Sequence, residues 1–229
     1  MKRLAVVTGA SRGWGKALVD EFSASGWNVI AVSRAQVGLQ VWSGSGVVEA
    51  VEHDVRGNDF NELFAVIGER PVDLLINNAA QGANHQRLGS ISPESVTDAV
   101  EVNVGGPLRL VQALLANLLA APDPLIINVT SRLGSVSAQA RGDFSDLSTS
   151  YAYKISKAAQ NMLTVSLAQD LQGQVRAWAV HPGKLATGMG QPDASKDPRL
   201  AARQLRELVD SGDSTSPRFC SLGDDDLTW

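Results

Sequence analysis

Tyr153 and Lys157 stand four residues apart in a stretch, Ser150 to Leu171, that reads as one helix. Four residues is about one helical turn, so both side chains project from the same face. A phenol beside an ammonium can give and take a proton near neutral pH, because the positive charge favours the phenolate. Lowering a tyrosine from about 10 to about 7 requires roughly 4 kcal/mol of differential interaction. One solvated lysine supplies less than that, so a second positive charge is expected at the pair, and a bound cofactor is its natural source. Taken alone, an aromatic and a lysine at helical spacing are also compatible with chance.

The elements that must position this pair follow from the alternation of short apolar runs with longer helical ones, the pattern of βαβ crossovers and a parallel sheet. Strands are expected at Leu4 to Thr8, Asn28 to Ser33, Val47 to His53, Leu74 to Asn77, Leu125 to Thr130, Val175 to His181 and, more weakly, Arg218 to Ser221. Most are apolar without alternation, as strands covered on both faces should be. Helices are expected at Trp14 to Ser25, Asp59 to Gly68, Pro93 to Ala121 with a break near Gly105-Gly106-Pro107, Ser150 to Leu171, and Pro198 to Asp210. The fold class is α/β: one Rossmann-type domain over residues 1–229, with a mostly parallel sheet of seven strands in the order 3-2-1-4-5-6-7 and helices on both faces.

Composition bounds the partners. The chain has 229 residues, 44% of them hydrophobic, which suits one well-filled domain. A net charge of -4 and no basic cluster argue against nucleic acid. The apolar runs are strand-sized, so no membrane association is expected, and Met1-Lys2-Arg3 is followed by too short an apolar stretch for a signal peptide. A cytoplasmic protein is expected. The single cysteine, Cys220, reads as a buried structural thiol. No metal site is expected: Asp224, Asp225 and Asp226 are adjacent carboxylates that cannot easily converge on one ion.

Between the first strand and the first helix lies Thr8-Gly9-Ala10-Ser11-Arg12-Gly13-Trp14-Gly15. A tight glycine turn there lets backbone N–H groups approach a pyrophosphate, and the helix start adds a dipole that favours anions. The spacing Gly9-x-x-x-Gly13-x-Gly15 differs from the common dinucleotide fingerprint, but its place between strand and helix is what such a motif requires. A protein selecting NAD usually presents a carboxylate near the end of the second strand. Ser33-Arg34 stands there instead. Arg34 would pair with a 2′-phosphate, with Arg12 as a second cation, so NADP(H) is the expected cofactor.

The glycine turn, Asn77-Asn78-Ala79-Ala80, Asn103, Ser131, Tyr153-x-x-x-Lys157 and His181-Pro182-Gly183 occur in this order. In these motifs the chain resembles the short-chain dehydrogenase/reductase family from Lys2 to about Met189. Within it, Ser131-Arg132-Leu133-Gly134-Ser135 and the stretch from His181 to Gly190 look most like the small carbonyl reductases related to the C-factor and sniffer proteins. The resemblance implies reduction of a ketone or aldehyde to an alcohol, or the reverse, with Tyr153 as general acid and base. It further implies that Lys157 holds the nicotinamide ribose, that Ser131 polarises the substrate oxygen, and that Asn103 sits at a helix irregularity and positions a water near Lys157. Gly9, Ser11, Arg12, Gly13, Trp14 and Gly15 would surround the pyrophosphate. Asp54 and Val55 would flank the adenine, Asn78, Ala79 and Ala80 the ribose side, and Pro182, Gly183, Leu185 and Thr187 the nicotinamide end. A small carbonyl or alcohol substrate and a homodimer or homotetramer are the implied partners. Two other readings keep the fold: a non-catalytic dinucleotide-binding module, and epimerase or dehydratase chemistry through a transient ketone.

Some readings compete residue by residue. Ser131 could be a strand-end cap with Thr130 as the active hydroxyl, Asn103 could cap a helix break, and Tyr151 lacks a lysine one turn on. The sequence also departs from the family pattern. Ala80 replaces a glycine, Trp14 replaces a smaller aliphatic residue, and Ser137 to Thr149 is an added segment that reads as a loop and candidate lid, carrying Arg141, Asp143 and Asp146.

Overall fold

The computed structural model describes residues 2–34, 45–82, 88–147, 150–187, 194–223 and 226–229. Seven strands are present: β1 (Leu4–Thr8), β2 (Asn28–Ser33), β3 (Val48–Glu52), β4 (Leu74–Asn77), β5 (Leu125–Val129), β6 (Arg176–His181) and β7 (Arg218–Ser221). They form one sheet in the order β3-β2-β1-β4-β5-β6-β7, with every pairing parallel. β1, β4 and β5 are buried at every residue, which is why they read as unbroken apolar runs.

Helices α1 (Gly13–Ala24), α2 (Asn61–Ile67), α3 (Pro93–Val100), α4 (Gly106–Leu119), α5 (Val136–Arg141), α6 (Tyr151–Asp170) and α7 (Pro198–Asp210) cover the sheet. One apolar layer joins α1 and α7 to the sheet through Leu18, Phe22, Ala202 and Leu205; the other joins α2, α4 and α6 through Leu63, Leu110, Leu114 and Leu167. Side chains of one strand therefore point alternately into two cores, Val7 into the first and Val6 into the second.

Three expectations change. The break anticipated near Gly105-Gly106-Pro107 is a π-helical turn, Glu101–Gly105, so α3 and α4 form one continuous helical run. Pro107 stands just beyond this π-turn, at the point where the hydrogen-bond pattern changes. That run, Pro93–Leu119, is long and apolar enough by composition to cross a bilayer, which the strand-sized reading of the apolar segments overlooked. It instead packs on β4 and α6. Finally, the added segment is not simply a loop: it opens with helix α5, capped by Ser135 Oγ at the Ala138 N–H and closed by Gly142 in the left-handed region. The Ser137 N–H donates to the Trp229 carbonyl at 3.1 Å, and Ser137 Oγ donates to Thr228 Oγ1 at 2.9 Å, tying α5 to the end of the chain. Residues 148–149 of that segment lie outside the described residues, as do 188–190 at the end of the family-like stretch and Asp224 and Asp225 of the acidic run.

Candidate active site

The strand order reverses between β1 and β4, so the loops leaving their carboxyl ends open a crevice. Gly9 and Gly13 in the turn after β1 have φ of +67° and +57°, values that glycine adopts without strain. A Cβ on Gly15 would lie 2.2 Å from the Gly9 carbonyl oxygen and 2.6 Å from Asn78 Nδ2, so the turn closes only around a bare backbone. Arg12 is the N-cap of α1; no side chain caps that end and no acidic residue stands in its first turn. The orphan N–H groups and positive dipole end of α1 are thus left to a ligand. Ser11, Arg12 and Gly13 are exposed, whereas Trp14 is buried in the core layer that includes Ala10 and Leu185. Trp14 therefore supports the turn from behind. The cradle fits a dinucleotide pyrophosphate.

The loop after β4 braces the same turn. Thr8 Oγ1 accepts from the N–H groups of Asn78 and Ala79, each at 3.0 Å, and Asn78 Nδ2 donates to the Thr8 carbonyl at 2.9 Å. Asn78 is thereby committed to holding two loops together, a task the sequence reading did not assign it. No described non-glycine residue has positive φ, so Ala80 makes the turn without strain.

Beyond β2, Arg34 lies on the wall of a cavity of about 410 Å³ together with Glu52, His53, Asp54, Asp59 and Glu62. Asp54 is ion-paired to Arg56 at 2.7 Å; that hydrogen-bonded guanidinium holds its carboxyl down at about 2. Burial lowers His53 below the usual imidazole range. Val55 is buried and meets Gly106, where a Cβ would approach Val55 Cγ2 to 2.9 Å.

Asn103 sits in the π-helical turn and is fully buried. Its Oδ1 accepts from the Gln81 N–H at 2.9 Å, and its Nδ2 donates to the Gln81 carbonyl at 3.1 Å and to Ser156 Oγ at 2.9 Å. π-turns of this kind collect at functional sites because the extra residue re-aims a side chain. Here the re-aimed amide ties α6 to the loop after β4.

Ser131 follows β5. Its Oγ accepts from the Leu133 N–H at 3.2 Å, capping a short 3₁₀ turn, and the hydroxyl stands near enough to the Tyr153 phenol to favour its ionised form. Ser131 is thus the strand-end cap and also the hydroxyl beside Tyr153, while Thr130 Oγ1 is buried without a partner among the described residues. Burial raises the Tyr153 phenol above its usual value, and the Ser131 hydroxyl acts in the opposite direction.

Lys157 Nζ lies 5.8 Å from the centroid of the Tyr153 ring. It donates to the Val129 carbonyl and to Gln160 Oε1, both at 2.8 Å. Only 2% of Lys157 is exposed, and burial pulls its ammonium from 10.5 down to about 7. A change of that size corresponds to roughly 5 kcal/mol of lost solvation, a cost that a merely structural lysine would avoid by facing water. Across the crevice Gly183 has φ of +92°, Pro182 and Leu185 are buried, and a Cβ on Gly13 would stand 3.6 Å from Thr187. The two ends of the predicted cofactor site therefore face one another.

A family model for short chain dehydrogenases matches residues 3–198. This chain belongs to the short-chain dehydrogenase/reductase family. It is 34% identical over 162 residues to the C-signal protein of Myxococcus xanthus, covering 69% of this chain and 93% of that one. It is 35% identical over 210 residues to L-xylulose reductase of Bos taurus, covering 90% of this chain and 81% of the relative. The carbonyl reductase Sniffer of D. melanogaster superposes over the whole of both chains with a TM-score of 0.85 at 23% identity. At that identity the superposition speaks for the fold; the family match establishes an oxidoreductase of the short-chain class.

In this short-chain dehydrogenase/reductase, two polar residues near the pair escaped the sequence reading. Ser156 Oγ donates to the Tyr153 carbonyl at 3.0 Å and receives Asn103; Gln160 receives Lys157. The signal was present: Ser156, Gln160 and Thr164 fall at helical spacing with Lys157 and are all buried in α6. Tyr151 is exposed and takes no part. Cys220 is buried, and burial pushes its thiol up to about 11, in keeping with an inert side chain.

Proposed function

We propose that this protein is an NADP(H)-dependent carbonyl reductase, interconverting a ketone or aldehyde with its alcohol, and that residues 1–229 form a single domain for cofactor and substrate. The observation that carries the reading is the buried Lys157 ammonium 5.8 Å from the Tyr153 ring, with Ser131 at the end of β5 and the glycine cradle after β1 completing the crevice.

The nicotinamide cofactor supplies or accepts the hydride. The chain's own residues do the rest. Ser131 and Tyr153 would both donate to a substrate carbonyl oxygen placed between them. These bonds strengthen as negative charge develops on that oxygen. Tyr153 then passes its proton to the oxygen and takes it back in the reverse direction. Lys157 would hold the ribose hydroxyls and lend positive charge to the phenol. Burial raises the phenol when no cofactor is present, so the charge that activates it arrives with the ligand. The uncapped start of α1 would receive the pyrophosphate, and Arg12 and Arg34 the 2′-phosphate. Asn103 would set the geometry of α6 through Ser156.

The test is a panel of ketones and aldehydes followed by NADPH absorbance, with NADH in parallel and deuterated NADPH for product analysis. Net reduction leaves the label in the product. Return of the label to the cofactor would point to epimerisation through a transient ketone, and no turnover across a broad panel, with NADPH bound, would point to a non-catalytic module.

A further inference from the structure

We propose that Gln160 is a positioning residue for the reaction: its side-chain carbonyl fixes the Lys157 ammonium at the inner face of α6 and favours its charged form over the neutral amine. The inference rests on the hydride-transfer reading for its kinetic readout alone.

Gln160 is fully buried, three residues beyond Lys157 on the same helix. Its Oε1 accepts from Lys157 Nζ at 2.8 Å, while its Nε2 is buried without a partner among the described residues. A half-satisfied amide in the interior is costly, and an apolar side chain of the same volume would fill the site without that cost. Packing therefore disfavours glutamine at this position. What glutamine supplies is an acceptor to an ammonium that has left water. Among the described residues the Val129 carbonyl is the other acceptor, so Gln160 provides half of the hydrogen bonds that replace the lysine's hydration.

The acceptor stands on a fixed base. Thr164 Oγ1 donates to the Gln160 carbonyl at 2.9 Å and accepts from Asn128 Nδ2 at 2.9 Å; Asn128 Oδ1 in turn accepts from Asn77 Nδ2 at 2.9 Å. A buried polar chain thus runs from β4 through β5 to the turn of α6 that carries Gln160. Elements packed on α6 bring Glu94 and Asp98 from α3, Glu101 from the π-turn, Arg132 from the 3₁₀ turn, and Arg176 and His181 from β6. None of these shifts Lys157, for which burial is the one cause; the groups that hydrogen-bond Nζ, the Val129 carbonyl and Gln160 Oε1, are both neutral. Tyr153 is the titratable neighbour on α6 itself.

Removing an acceptor from a buried ammonium disfavours its charged form, and adding a carboxylate does the reverse. In Gln160→Met, the Lys157 titration, followed by NMR of ε-labelled lysine in cofactor-free protein, is expected to move toward acid by about one pH unit or more. In Gln160→Glu it is expected to move toward alkali. The limb of kcat/KM that is lost as pH rises should move with it in each variant. Thermal stability of Gln160→Met, measured at about pH 9 where the lysine is neutral, should equal or exceed that of the parent. A structural role alone would instead lower stability and leave both titrations in place. Unchanged Lys157 titration in both variants would overturn the proposal. If the parent itself turns over no carbonyl substrate, the carbonyl reductase reading falls, and the NMR titration still decides the role of Gln160.

Discussion

Asn103 Nδ2 donates to Ser156 Oγ at 2.9 Å, and that hydroxyl donates onward to the Tyr153 carbonyl at 3.0 Å. The π-helical turn is thus linked to the tyrosine through one serine, and the loop after β4 is held by the same amide through Gln81. Ser156→Ala leaves a buried amide hydrogen of Asn103 without its partner, at a cost of about 1–2 kcal/mol. The expected outcome is a lower melting temperature and a several-fold fall in kcat with NADPH affinity retained. Denaturation curves, steady-state kinetics and a binding titration check the three parts, and a pure loss of NADPH affinity would contradict the linkage.

Tyr153→Phe removes the proton donor and leaves the ring in its place. NADPH binding, read as a ligand-induced rise in melting temperature, should persist while turnover falls by a factor on the order of 10² or more. Turnover equal to the parent's would remove Tyr153 from the chemistry.

Gly15→Ala tests the cradle. The added methyl would lie 2.2 Å from the Gly9 carbonyl oxygen, a backbone atom that cannot swing aside. Overpacking of this kind costs about 1–3 kcal/mol, which lowers the melting temperature by several degrees in a chain of this size. Displacement of the turn should also weaken NADPH and NADH alike. Arg34→Asp should act differently, weakening NADPH more than NADH, because Arg34 is the cation on a cavity wall that otherwise carries Glu52, Asp54, Asp59 and Glu62. Equal losses for both cofactors in Arg34→Asp would refute a 2′-phosphate contact.

All seven strands were legible in the sequence because a parallel sheet buried on both faces leaves unbroken apolar runs, while the sheet order followed from the doubly wound topology and not from the runs themselves. Gly9, Asn78 and Ser131 were legible because they follow strand ends at the crevice, whereas Asn103 in the π-turn and Tyr153 and Lys157 in α6 were legible from their types and spacing. Helix α5 was not, since its six residues carry no apolar stripe and its caps and its ties to Thr228 and Trp229 are made by the folded chain. The π-turn was visible only as an irregularity, because one extra residue per turn changes hydrogen bonds and not composition. Spacing alone did not show how burial acts on Tyr153 and Lys157. Proximity to an ammonium suggested an acidic phenol, whereas burial of both groups raises the phenol and lowers the lysine.

Exposed apolar side chains stand on both helices that flank the site: Leu108 and Leu119 on α4, and Ile155 and Met162 on α6. Spacings of eleven and seven residues place each pair on one helical face. Self-association through these faces is the proposed state, as a homodimer or homotetramer. Light scattering should report a mass at least twice that of the chain, and Leu119→Glu with Met162→Glu should reduce it to the monomer. A monomeric parent at micromolar concentration would contradict this.

The buried lysine makes stability depend on pH with a definite sign. Lys157 loses its proton at about 7 in the folded protein, against 10.5 when exposed. Between these values the unfolded chain binds the extra proton and the folded chain does not, so stability rises with pH across the window. Cys220 acts oppositely but later: burial lifts its thiol from 9.0 to about 11, so its contribution is complete below 9.0 and is lost above it. His53, lowered by burial, makes stability fall as pH drops below 6.5. The interval from about 7 to about 9 therefore belongs mainly to Lys157. Urea denaturation of the cofactor-free protein should show stability increasing over that interval, and Lys157→Met, which matches the stem in length and carries no charge, should abolish the increase. A parent whose stability is flat or falling there would mean that water reaches Nζ in solution and that the lysine keeps its ordinary proton.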